Sequence, residues 1–420
     1  MEQELRSGGP ALPRPHSGSG GSICFSGAAA LVDGPRIQQL LLHCAAALES
    51  KDVTLAQQAM WVLNNIVGSS QGDTPNSRLT SALLRGLVAR ACRTCVSPGS
   101  SAEAAAGPGR SRAGGNGISA TELAEYVDLT PWHRFGFTAS NGAILRAAAG
   151  RPALHVVDLS VTHCMQWPTL IDALSKRAGG PPALRISVPR ARPAVPPLLA
   201  ASDAALLGPR LANFAKSRGV RLDFHVIDVK NAELASVLSD REALELRDGE
   251  ALVVNCHSWL RHVAPGRRDG LLDAVRALEP CLVTVTDEDA DLDSPSLASR
   301  IAGCLEFHWI LFDALDTCAP RDSTRRAEQE AALAQKIESV VAGDDGGGAA
   351  AERSECGARL SERMRRRGFD GVGFGEEVAA EVRRLLGEHA NGWGVKTEED
   401  MMVLTWKGHG AVFTTAWAPS

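Results

Sequence analysis

Beyond residue 151, short apolar runs alternate with amphipathic stretches, and this alternation constrains the fold more than any other feature of the chain. The runs lie at 154–158, 184–188, 222–227, 251–255 and 281–286, with helical periodicity near 167–178, 198–218, 231–239 and 267–278. Strands separated by helices are joined by crossovers, so they line up parallel in one sheet with helices on both faces. The C-terminal part breaks that rhythm. Residues 401–406 and 411–417 flank Gly408-His409-Gly410 and read as an antiparallel hairpin closing the sheet. The expectation is an α/β fold, a Rossmann-like, methyltransferase-type sheet with a C-terminal antiparallel hairpin. Likeness of fold does not carry a function.

Ahead of the sheet, 35–150 read as a mainly helical cap. Ile37, Leu40, Leu41, Cys44 and Leu48 form one apolar stripe, with Pro35 suited to a first helical turn. Asp52 is placed to cap a second helix carrying Leu55, Ala59, Leu63 and Ile66 on one face. Thr74-Pro75 opens a third, with Leu79, Leu83, Leu87 and Ala91 at four-residue steps. The break at Gly68-Ser69-Ser70 is too early for a long coiled coil, so these helices are expected to pack within the chain. Helical pattern resumes at 121–126 and 142–149. Residues 1–34 and 97–117 are rich in Gly, Ser, Pro and Ala, and read as a disordered tail and a flexible insertion. The remaining 151–419 is the expected α/β core.

Charge and thiols narrow the class. A net charge of −5 argues against a chain whose main work is neutralising nucleic-acid phosphates. The ten cysteines are scattered, several in apolar runs (Cys44, Cys256, Cys281), which suits reduced thiols of the cytosol or nucleus. No apolar run reaches the ~20 residues of a membrane span. Glu2 and Glu4, with no apolar stretch after them, do not read as a secretory leader.

Such sheets hold ligands beyond the carboxyl ends of the strands. The first strand ends at Asp158 and runs into LSVTHCMQWPTL, with no glycine between Gly150 and Gly179. Val161, His163, Met165 and Trp167 stand where a glycine-rich turn would let a backbone approach a dinucleotide or adenosyl group. The second strand leads into Pro189-Arg190-Ala191-Arg192-Pro193 and not to an acid for a ribose. No cofactor and no catalytic group are therefore expected. Gly68-Ser69-Ser70-Gln71-Gly72 fits a nucleophile pattern but lies between helices, where it reads as a turn. Cys92 and Cys95 are a lone pair, without the second pair a zinc site needs. His257 and His262 are poorly spaced for one helix face, and His155 reads as a hydrogen-bonded structural histidine. The acidic stretch 287–293 reads as a solvated loop. The tryptophans are expected to anchor the core. A helix over 352–367 sets Cys356, Leu360 and Met364 on one face and Arg359, Arg363 and Arg366 beside them, with Arg365 and Arg367 adding to the cluster. These five arginines are the candidate contacts for DNA or an acidic partner, against the plainer reading of a solvated helix face.

Several segments together resemble the GRAS family of plant regulatory proteins. Leu154-His155-Val156-Val157-Asp158 is similar to its VHIID motif. The 37–95 and 198–240 stretches resemble its two leucine-rich regions, and LRDGEALVVNC (246–256) the opening of its PFYRE region. Trp393-Gly394, with VLTWKGHGAVFTTAWAP (403–419) carrying Trp406 and Trp417, resembles its C-terminal SAW motif. The likeness covers 35–419. Two features depart from it: LEFHWILFDALD (305–316) has no tyrosine where the family is tyrosine-rich, and 97–117 and 343–351 read as insertions. The resemblance implies a nuclear transcription regulator that associates with other GRAS proteins and with zinc-finger transcription factors, with contact to promoter DNA proposed for the family, and no membrane. The alternative carried by the sheet alone is a methyltransferase-like small-molecule-binding protein or enzyme.

Overall fold

In the computed structural model the described residues are 30–69, 73–95, 117–193, 195–228, 234–343, 352–398 and 400–420. Residues 1–29 of the expected tail, 97–116 of the insertion and 344–351 of the later loop lie outside them.

Three helices open the fold: α1 (Ala30–Glu49), α2 (Val53–Ser69) and α3 (Pro75–Cys95). Helix α1 starts ahead of Pro35, which sits inside it and not in its first turn. As the sixth residue of the helix, Pro35 removes one intrahelical bond, the one its N–H would make to the residue 31 carbonyl. Asp52 does cap α2, accepting from the Leu55 amide at 3.0 Å. The buried stripe of α2 is Ala56, Ala59 and Leu63, while Leu55 is 46% exposed. On α3, Leu79, Leu83 and Leu87 are all buried.

Helices α4 (Ala120–Asp128) and α5 (Trp132–Ala147) lead into the sheet. Then follow β1 (Ala153–Asp158), α6 (Trp167–Ser175), β2 (Ala183–Pro189), α7 (Ala201–Ser217), β3 (Leu222–Ile227), α8 (Leu234–Leu238), β4 (Ala251–His257), α9 (Arg268–Ala277) and β5 (Leu282–Glu288). Each expected strand is present, within one or two residues at its ends. Four more helices come next: α10 (Leu297–Phe307), α11 (Trp309–Cys318), α12 (Thr324–Ala342) and α13 (Gly357–Arg366). The chain closes with β6 (Phe369–Gly371), α14 (Glu376–Leu386), β7 (Trp393–Thr397), β8 (Met401–Trp406) and β9 (His409–Pro419).

The sheet runs β3-β2-β1-β4-β5-β9-β8-β7, with β6 paired to β9. The first five strands are parallel and the rest antiparallel. Strand order reverses between β1 and β4, so the crevice of this sheet lies beyond Asp158 and Asn255. The hairpin turn is Lys407-Gly408, with φ of 49° and 86°, one step earlier than the glycine pattern implied.

Three expectations fail on packing. The helical layer is not confined to the N-terminal third: Leu41, Leu63 and Leu83 share one core with Ile301, Cys304 and Ile337 of α10 and α12. Helix α13 starts at Gly357, and 352–356 carry no helix: the Arg353 N–H donates to the Arg261 carbonyl and the Ser354 carbonyl accepts from the Leu292 N–H, so this backbone is bonded to distant segments. Cys281, read as part of an apolar strand, precedes β5 and is exposed.

Candidate functional site: the carboxyl edge of the parallel strands

Strand β1 has neighbours on both sides and helices over both faces, so Leu154, His155, Val156, Val157 and Asp158 are all buried. Leu154 and Val156 face one core, and Val157 the other. His155 sits beside β2, its Nε2 2.8 Å from Ser187 Oγ. Burial, helped by Arg185, pushes its pKa down to about 3, so the ring is neutral. It is a structural histidine.

Asp158 ends the strand in a closed polar cluster. Its carboxylate accepts from Asn255 Nδ2 at 3.1 Å, Trp167 Nε1 at 2.9 Å and Ser160 Oγ at 3.1 Å. Burial raises its pKa, opposed by Arg192 and by these donors. Asn255 continues the network, accepting at Oδ1 from Thr284 at 2.8 Å. Gln166 donates to Asn141 of α5 at 3.0 Å. The chain after β1 keeps to the sheet, since Leu159 and Val161 donate to the carbonyls of Asn255 and His257 at 2.7 and 3.2 Å. It then turns through His163 and Cys164, both left-handed at φ 51° and 63°. Two such non-glycine residues cost of order 1 kcal/mol each. Burial of Cys164, Gln166 and Trp167 offsets that strain. The place a cofactor loop would leave open is thus filled by Val161, Cys164 and Trp167, with His163 half-buried; Met165 packs to one side against α4 and Phe137. Gly136 lets α5 close over this edge, since a Cβ there would stand 2.5 Å from Thr286 Cγ2.

At the other end of the sheet, Trp393 and Trp406 are register partners with ring centroids 4.8 Å apart. Trp406 is fully buried and donates to Asp313 of α11 at 2.7 Å. Gly394 faces Thr405 in the same ladder. Trp417 is fully buried with the Arg365 guanidinium 5.6 Å from its ring. Trp406 and Trp417 tie β8 and β9 to α11 and α13.

Four of the five candidate arginines on and just after α13 have ion-pair partners within the chain. Arg359 bonds Asp291 and Asp293 at 3.0 and 2.8 Å. Arg363 bonds Glu355 and Asp269, Arg365 bonds Asp400, and Arg367 bonds Asp273. Exposed Arg366 is left to the field of Asp269. The acidic stretch 287–293 is correspondingly not a solvated loop. Asp287 and Glu288 are buried against Arg261, with Lys336 also on Glu288. The signal was present in the sequence only as matched counts of opposite charge.

Trp61 belongs to none of the sequence motifs. It points away from Ala56, Ala59 and Leu63 and is 69% exposed. A helical wheel of α2 places it there. Val53 and Leu55 on α2 and Val88 on α3 are exposed as well. Cys95's side chain and residues 70–72 of the glycine-serine turn lie outside the described residues. Among the described residues, no helix is long and apolar enough to cross a membrane.

Residues 37–418 match the GRAS domain family. The chain is similar to Scarecrow-like protein 32 of Arabidopsis thaliana, 42% identical over 399 residues, covering 92% of this chain and 94% of that protein. It is 34% identical to Protein SHORT-ROOT 1 of Oryza sativa subsp. japonica over 91% of this chain and 68% of that one. Among solved structures, SCL7 of Oryza sativa shares the fold with a TM-score of 0.68 at 22% identity, over 91% of this chain and 99% of that one.

Proposed function

The chain belongs to the GRAS domain family, and from that premise we propose that it is a nuclear transcription regulator acting as a non-catalytic adaptor. The observation that carries this reading is the exposed apolar side chains on the cap, Trp61 foremost, on helices otherwise sealed into the core. Exposed large aromatic side chains are favoured anchors for protein partners. Other GRAS proteins and zinc-finger transcription factors are the partner classes. The filled crevice beyond Asp158 supports the absence of adenosyl chemistry, and the internally paired α13 arginines support an adaptor over a phosphate-binding protein.

Deleting 37–95 would empty the shared core, so the test is a surface variant. Trp61→Ala with Leu55→Ser is expected to weaken capture of a GRAS or zinc-finger partner by about tenfold or more with an unchanged melting temperature. Unchanged capture removes the cap from the reading. Direct promoter contact by Arg359, Arg363, Arg365, Arg366 and Arg367 is the competing reading. It requires binding at low salt that falls steeply as salt rises. Calorimetric binding of S-adenosylmethionine at micromolar concentration would overturn the non-catalytic reading.

A further inference from the structure

Strand β3 ends the parallel side of the sheet, with β2 on one side and, among the described residues, no strand on the other. The carbonyls of Arg221, just before it, and of Ile227 accept from the amides of Leu184 and Arg190 on the β2 side. Backbone direction alternates along a strand, so the N–H and C=O groups of Leu222, Phe224 and Val226 point away from β2. None of these groups has a hydrogen-bond partner among the described residues. An open edge of this kind is a template for pairing with another chain. The strand lacks the usual protection: it holds no proline and no lysine, and its register with β2 is unbroken. The strand at the opposite edge, β7, carries Lys396.

The flanks of β3 leave that edge accessible. Asp223 and Val226 are exposed. Helix α7 lies against Phe224 at Gly208, where a Cβ would stand 2.7 Å from the ring. Leu207 packs toward Leu123 and Tyr126 of α4. The helical period then sets Ala205 and Pro209 on the opposite, outer flank of α7. Both are small and exposed, so the helix does not bar approach to the edge. On the other face of the sheet, Asp223 lies 3.4 Å from Arg247, and His225 lies 3.7 Å from Glu245.

We propose that β3 pairs antiparallel with β3 of a second copy of the chain, about a two-fold axis at Phe224, joining the two sheets into one. An axis at Phe224 sets Leu222 opposite the partner's Val226 and Phe224 opposite the partner's Phe224. All three open residues then exchange backbone bonds, and apolar side chains meet on the α7 face. On the other face Asp223 stands opposite the partner's His225, twice by symmetry. Moving the axis to Asp223 or to His225 leaves one of the three open residues outside the paired strands. An axis at Asp223 also sets that carboxylate against its own copy, like charge on like charge. The Phe224 register thus pairs the most backbone groups and avoids that repulsion. The surface stands apart from the adaptor reading, since it uses neither Trp61 nor the outer faces of α2 and α3.

The test is sedimentation equilibrium of the full chain, which is expected to show monomer and dimer in exchange at micromolar concentration. Val226→Pro removes an N–H that β2 does not use, and is expected to leave the chain monomeric with unchanged far-ultraviolet dichroism. His225→Glu puts a carboxylate opposite the partner's Asp223 and is expected to weaken the dimer by about tenfold. Mixing that variant with Asp223→Lys is expected to restore dimers, because each acid then faces a basic side chain of the other copy. Trp61→Ala with Leu55→Ser is expected to leave the dimer intact, which separates this surface from the cap. A chain monomeric throughout the micromolar range, a dimer insensitive to Val226→Pro, no recovery on mixing, or a dimer lost only in the cap variant would each overturn the proposal.

Discussion

Asn255 donates its side-chain amide to Asp158 at 3.1 Å, and the same two residues are register partners across the junction of β1 and β4. The pairing falls at the point where strand order reverses, the place where open α/β sheets hold ligands. Here the chain bonds to itself instead. Replacing Asn255 with Leu leaves a buried carboxylate short of a donor and Thr284 without its acceptor. The expected cost is about 2–4 kcal/mol, read as a lower urea midpoint at unchanged slope. Asp158→Asn keeps the shape without the charge and is expected to cost less than Asn255→Leu.

His155 makes stability depend on pH. Its folded pKa of about 3 lies below the ordinary 6.5, so the unfolded chain takes up a proton that the folded chain refuses. Stability from this residue is complete above pH 6.5 and is lost as pH falls toward 3. Between pH 6.5 and 5 the loss is about 2 kcal/mol. His155→Gln retains a group that can meet Ser187 but does not titrate, and is expected to flatten this part of the stability profile. An identical acid slope in wild type and variant would contradict the assignment.

Gly392 holds φ at 120°, and a Cβ there would stand 2.7 Å from the Trp406 ring. Gly392→Ala is therefore expected to destabilise the chain by about 2–3 kcal/mol. Loss of near-ultraviolet dichroism from the Trp393–Trp406 pair would report the displaced ring.

Arg363 and Arg366 are adjacent in role by sequence and different in structure. Arg363→Ala breaks bonds to Glu355 and Asp269 and is expected to cost about 2 kcal/mol. Arg366→Ala is expected to change stability by less than about 0.5 kcal/mol. Neither is expected to alter the salt dependence of any nucleic-acid binding, where loss of one phosphate contact lowers the slope by about one.

Local pattern was enough for the parallel strands, the C-terminal hairpin, the capping by Asp52 and the missing glycine turn after Asp158. Each depends on residues a few positions apart, through alternation, helical period or turn chemistry. The fate of the charges was different. Asp287, Glu288, Asp291 and Asp293 look like a solvated loop until Arg261, Lys336 and Arg359 arrive from distant segments. Joining of α10 and α12 to the N-terminal helices is likewise invisible to periodicity, which shows that a face is apolar but not what covers it.

Asp158 spans both cases. The apolar run before it and the residues after it already place the carboxylate at the end of a buried strand with no glycine-rich loop behind it. Its donors, Asn255, Trp167 and Ser160, are brought to it by the packing of β4, α6 and the chain after β1. The physical reason is range. Strand burial follows from neighbouring residues, while the partners of a buried charge are chosen by contacts that form only when distant segments pack.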